Sequence, residues 1–132
     1  MLTSQASVAD GLSWGLGVGL QGAGDSLAIW HWGDNTGYES FAILFLRSGD
    51  GLVYLSNSDH GMSVVHAILA AAFGGAQPSV QYLDYERYDS PRRLVRLALD
   101  SAMIAGGPAR AIPRYRQLKQ RYHATAFDVD LL

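Results

Sequence analysis

S-L-A-I-W-H-W-G-D-N-T-G-Y-E-S-F-A-I-L-F-L-R-S-G-D-G-L-V-Y-L-S, residues 26–56, decides the fold. From Ser26 to Trp32, Leu27, Ile29 and His31 fall on one face and Ala28, Trp30 and Trp32 on the other, the period-two alternation of a strand. Gly33-Asp34-Asn35-Thr36-Gly37 is rich in residues that tolerate positive φ and predicts a turn. Tyr38 to Leu46 is apolar on both faces, as expected of a central strand. Ser48-Gly49-Asp50-Gly51 turns the chain again, and Leu52 to Ser56 completes the run of strands. Connections this short join antiparallel neighbours.

Upstream, Ser13 to Leu20 reads S-W-G-L-G-V-G-L, with Trp14, Leu16, Val18 and Leu20 alternating with glycines, and predicts one further strand. Its G-x-G-x-G has neither the preceding strand nor the following helix of a dinucleotide loop. Gln21 to Asp25 is the connecting turn. Downstream, Asn57, Ser58 and Asp59 are candidate caps for a helix whose apolar positions are Met62, Val65, Ile68, Leu69, Ala72 and Phe73, ended by Gly74-Gly75.

Ala76 to Asp89, with Pro78 and three tyrosines, reads as an ordered connection. Ser90-Pro91 is a helix start. Leu94, Val95, Leu97, Ala98, Ala102 and Met103 form its expected buried stripe, with Arg92, Arg93 and Arg96 outside. Gly106-Gly107-Pro108 stops that helix, and a last one runs to about Tyr122 with Ile112, Tyr115, Leu118 and Tyr122 on one side. The expected architecture is α+β: an antiparallel four-stranded meander with a packed helix over residues 1–76, a connection over 77–90, and a two-helix extension over 91–132. The final stretch, Phe127 to Leu132, carries apolar residues to the last position, more like a cut than a natural tail.

Composition bounds what such a chain does. At 132 residues, 48% hydrophobic and 17% charged, it is long enough to bury roughly two-thirds of its unfolded surface. With no cysteine, disulfides, thiolate metal ligands and thiol nucleophiles are excluded. His31, His60, His66 and His123 lack zinc-binding spacing, so neither a metal nor a cofactor is expected. Met1 to Gly11 has neither the basic start nor the apolar run of a secretion signal, and no apolar stretch approaches the roughly 20 residues of a membrane helix. Residues 1–90 carry nine acids against Arg47 and Arg87, whereas residues 91–132 carry eight bases against Asp100, Asp128 and Asp130. The arginines fall on helical spacing without an aromatic stacking platform, which favours a solvated or self-docking face over nucleic acid.

Trp14 to Gly17 (W-G-L-G), Trp30 to Tyr38 (W-H-W-G-D-N-T-G-Y) and Gly51 to Gly61 (G-L-V-Y-L-S-N-S-D-H-G), followed by the apolar helix, are similar in order and spacing to one family. The segment Trp14 to Phe73 resembles the C-terminal part of the serine β-lactamase, penicillin-binding-protein and esterase superfamily, and the helices after Ser90 resemble an extension of some members. The resemblance implies an edge strand bordering an active site, and matches His31-Trp32-Gly33 to the family's Lys-Thr-Gly or His-x-Gly triplet. His31 then takes the basic position, and Gly33 lets a substrate backbone approach. The Asp34 N–H becomes one of two donors that stabilise a developing oxyanion, an effect worth several kcal/mol.

The family's nucleophile, from Ser-x-x-Lys, and its Tyr-x-Asn or Ser-x-Asn motif are missing. Lys119, the one lysine, has Arg116 three residues before it, and Asn35 and Asn57 have Gly33 and Leu55 at minus two. The resemblance therefore implies a C-terminal fragment of a serine hydrolase that is inactive alone. Its parent would hydrolyse a β-lactam, peptide or ester; the family is often periplasmic, and the location of this chain is left open. The partner expected is a second copy or a chain supplying the missing half. The competing expectation is a non-enzymatic interaction module that associates through uncovered sheet. Large aromatics on a small sheet are mostly core, and that is the expectation for Trp14, Trp30 and Trp32. Asp34 with Glu39, or Asp84 with Glu86, are weak candidates for a carboxylate pair, and Asp34 and Asn35 are read first as turn formers.

Overall fold

The computed structural model describes residues 1–75 and 77–122, which fall in two compact units divided between Tyr85 and Glu86. The fold is α+β, and its sheet has six antiparallel strands in chain order: β1 (Ala6–Ala9), β2 (Leu12–Trp14), β3 (Gly19–Gln21), β4 (Ala28–Asn35), β5 (Tyr38–Phe45) and β6 (Gly51–Ser56). Two strands more than the expected four arise near the N-terminus. The glycine-alternating stretch does not run through as one strand; Gly17 takes φ +80°, and the Gly15 N–H bonds the Val18 carbonyl at 2.8 Å, folding the segment into β2 and β3. Strand β1 is entirely exposed, so it buries no face for an apolar pattern to mark.

The β4–β5 hairpin is the backbone of the unit, pairing without a bulge from Ala28↔Phe45 to Asn35↔Tyr38. Its turn is only Thr36-Gly37, with Gly37 at φ +79°, so Gly33, Asp34 and Asn35 belong to β4 rather than to the turn expected there. Two residues suffice because glycine supplies the left-handed backbone without steric cost.

One face of the sheet is the core. Leu12, Ala28, Trp30, Phe41 and Ile43 point inward and meet Met62, Val65, Leu69 and Val80 from the helices laid across them. Each of the Val, Leu, Ile, Phe and Met side chains contributes on the order of 1.5–3 kcal/mol by leaving water, and Ala28 less. Trp14 and Trp32 lean on this cluster, and Trp14 stands edge-on to Trp30 with ring centroids 5.4 Å apart. Trp30 is therefore core, as expected, while Trp14 and Trp32 are half-buried against it. Gly19 makes the packing possible, since a Cβ there would lie 2.3 Å from the Trp30 ring.

Helix α1 (Val65–Phe73) follows a 3-10 turn at Gly61–Val64 and ends at Gly74, φ +71°. None of the three candidate caps caps it. Asp59 accepts the Gly37 N–H across the sheet, and Ser58 Oγ accepts the His60 N–H at 3.1 Å. The first turn is held instead by Glu39 of β5, whose Oε2 accepts the Met62 N–H at 2.5 Å, a partner 23 positions away that local spacing cannot reveal. Within the expected connection lies a short helix, α2 (Pro78–Leu83). Buried Gln21 of β3 holds its start, accepting the Ser79 N–H at 3.1 Å and donating to Gln77 Oε1 at 2.7 Å.

In the second unit, α3 (Pro91–Arg121) is two helical stretches interrupted at Gly106 and Gly107, where the sequence places the stop. Ser90 Oγ accepts the Arg93 N–H at 3.1 Å, the expected cap. The buried stripe is narrower than its periodicity suggests: Val95 and Leu118 form the core with Ala98, Leu99 and Tyr122. Leu94, Leu97 and Met103 are exposed, as are Ile112 and Tyr115, because two helical stretches can cover only one line of contact on each other. The expectations for Ala76, His123 and Phe127 to Leu132 fall outside the described residues.

Candidate functional site

Strand β4 positions all four residues singled out from sequence. The register fixes which way each backbone group points. A two-residue turn allows Asn35 and Tyr38 to pair only through their own N–H and C=O groups, because Thr36 and Gly37 are adjacent in the chain. Alternation then assigns the backbone groups of Ile29, His31, Gly33 and Asn35 to β5. Those of Ala28, Trp30, Trp32 and Asp34 point the other way, toward β3.

Strand β3 covers only part of that side. Its ladder runs from Gln21↔Ala28 to Gly19↔Trp30 and stops. Among the described residues, no strand pairs with β4 beyond Trp30 on that side. The strand is thus interior at its start and a border from His31 onward, and the Trp32 and Asp34 N–H groups face outward along that border.

The side chains divide by face. His31 is exposed on the face opposite the core, where it lies across from Ala42. Gly33 shares that face, and a Cβ added to it would sit 2.7 Å from Ser40 Oγ. Beside His31 lies a shallow apolar depression of about 210 Å³, lined among others by Val18, Ile29, Ala42, Leu44 and Val53. Trp32 turns to the core face, its ring 6.0 Å from that of Trp14. Trp14 also stands 6.0 Å from the His31 ring, so an indole flanks the open border.

Asp34 points to the core face opposite Glu39. The two carboxylates are neighbours, but each is engaged in holding the fold. Glu39 takes the Met62 N–H, and Asp34 Oδ2 accepts the Tyr85 hydroxyl at 2.6 Å. Burial, and then the hydrogen bond and negative charge of Asp34, push the Tyr85 phenol up to about 12. Asp84 sits in the left-handed region (φ 51°) at the end of α2, and Glu86 accepts from Arg96 at 2.6 Å.

Sequence reasoning missed Tyr85, 51 positions from its partner, because nothing local marks it. It also missed the role of Glu39, although an acid in register with Phe41, Ile43 and Phe45 on the inward face was a readable sign of a buried partner. Among the described residues, no three His, Asp or Glu side chains gather to hold a metal ion, and no helix is long and apolar enough to cross a membrane.

The arrangement offers a strand border that no described strand pairs, with outward amides and with an imidazole and a glycine on the adjoining face. Two described hydroxyls donate to carboxylates, Tyr85 to Asp34 at 2.6 Å and Ser90 to Glu86 at 3.3 Å, and neither involves His31. Such a border can add an extended peptide-like backbone or donate to an oxyanion. No family model, curated protein or solved structure matches this chain.

Proposed function

We propose that this chain is the oxyanion-strand portion of a β-lactamase-like serine hydrolase, with His31, Trp32 and Gly33 as the triplet and the Asp34 N–H as an oxyanion donor. The observation that carries the reading is the open border of β4: it begins at His31, one residue beyond the end of the β3 ladder, and the alternation turns the Asp34 N–H into it. His31 and Gly33 share the sheet face that α1 leaves uncovered, the side from which a separate nucleophile-bearing half would approach. In the parent, an acyl group of a β-lactam, peptide or ester would pass to a serine on that half and then to water. This chain would stabilise the oxyanion and supply no nucleophile.

The test is turnover of nitrocefin and p-nitrophenyl esters together with labelling by a serine-reactive probe. The chain alone is expected to give neither, and the reading frame ahead of Met1 is expected to encode Ser-x-x-Lys. Turnover accompanied by a labelled serine of this chain, or an upstream frame without that motif, would overturn the proposal.

A second reading is favoured by a specific observation: an interaction module. On the uncovered face Tyr38, Leu44, Val53 and Leu55 are all exposed, the last two at 73% and 78%. Apolar side chains clustered this way on one face mark an association surface.

A further inference from the structure

Strand β6 ends the sheet, and the register shows which of its groups are unused. The β5–β6 ladder runs from Glu39↔Ser56 to Leu44↔Gly51. Because β5 gives the backbone groups of residues 38, 40, 42 and 44 to β4, it pairs with β6 through Glu39, Phe41 and Ile43, and so with Ser56, Tyr54 and Leu52. The N–H and C=O groups of Gly51, Val53 and Leu55 therefore point away from the sheet. Val53 and Leu55 carry their side chains on the uncovered face and are the most exposed large apolar side chains of the sheet.

Natural edges are blunted by charge, proline, bulges or shortness. The opposite edge, β1, is four residues long and has an irregular register between Ser7 and Ala9. Edge β6 has none of these devices: Gly51 to Ser58 contains no charge and no proline, and the β5–β6 register is unbroken.

We infer that β6 is a homodimer edge, pairing antiparallel with β6 of a second copy about a two-fold axis at Val53. A second copy is the occupant the edge fits, because one register satisfies every outward group of β6 from within β6 itself. Val53 pairs with Val53 of the other copy, and Gly51 with Leu55, forming about six backbone hydrogen bonds. In that register Val53 packs on its own symmetry mate, Leu55 lies over the side-chain-free Gly51, and no acid opposes an acid in an otherwise acidic unit. The inference rests on the second reading above and is independent of the hydrolase reading.

The experiment is light scattering on the full chain across a concentration series, with circular dichroism to check folding. The chain is expected to dimerise. Val53→Pro removes an N–H that serves only the dimer and leaves the β5 ladder intact. Val53→Lys keeps the backbone but sets two like charges together on the axis. Each is expected to weaken dimerisation by about tenfold or more while remaining folded. Leu44→Lys, on the same face but inside the sheet on β5, is expected to leave the dimer in place. A chain that stays monomeric at high concentration overturns the inference and leaves the second reading only as docking on a different partner. A dimer that survives Val53→Lys in folded form, or one that Leu44→Lys alone dissociates, overturns the edge inference and leaves the second reading standing.

Discussion

The Tyr85 hydroxyl donates to Asp34 Oδ2 at 2.6 Å, tying the segment after α2 to the border of β4. Burial first, and then the hydrogen bond and charge of the Asp34 carboxylate, favour the neutral phenol, so the Tyr85 pKa rises from 10.0 to about 12. The contribution to stability is complete below pH 10, where the unfolded phenol is also neutral, and fades as pH climbs toward 12. One of the seven tyrosines should therefore titrate late in an absorbance titration. Tyr85→Phe should abolish that late step and cost about 0.5–1.5 kcal/mol in denaturant unfolding at neutral pH. A titration in which all seven tyrosines ionise together would contradict the contact.

Glu39 is 4% exposed, and Met62, whose N–H it accepts, is fully buried. Glu39→Ala strands that N–H away from water and should destabilise by about 1–3 kcal/mol. Glu39→Gln keeps an acceptor oxygen in place and should lose clearly less. Equal losses in the two variants, measured by urea unfolding, would show that the carboxylate is not the anchor of the turn before α1.

Gly19 faces Trp30 across the β3–β4 ladder, and there is no room for even a methyl group between them. Gly19→Ala should force the indole off its rotamer and cost about 1–3 kcal/mol, with a change in the near-ultraviolet signal of the tryptophans. A neutral substitution would mean that the tryptophan cluster is packed more loosely than the geometry indicates.

The parts of the fold legible in the sequence were those governed by local chemistry. Alternation and turn residues located β4, β5 and β6, and Ser90 and the Gly106-Gly107 pair located the start and the break of α3. What stayed hidden depends on partners distant in the chain. Gln21 holds the start of α2, Glu39 holds the turn before α1, and Tyr85 holds Asp34, each across more than twenty positions. The glycine stretch misled because alternation alone cannot distinguish a strand from a tight turn when glycine at position 17 can take a left-handed backbone. The stripe on α3 misled in the opposite direction, since periodicity marks which residues share a side but not how much of that side is covered. At the candidate site, the order of residues was readable, but the border was not: it exists because β3 is three residues long and β4 is eight.

Amide hydrogen exchange along β4 tests that border most directly. The Trp30, His31, Gly33 and Asn35 amides should exchange slowly, held by β3 or β5, and the Trp32 and Asp34 amides should exchange fast between them. A slow Asp34 amide, protected to the same degree as that of Gly33, would mean that the donor is already engaged and that β4 presents no oxyanion site.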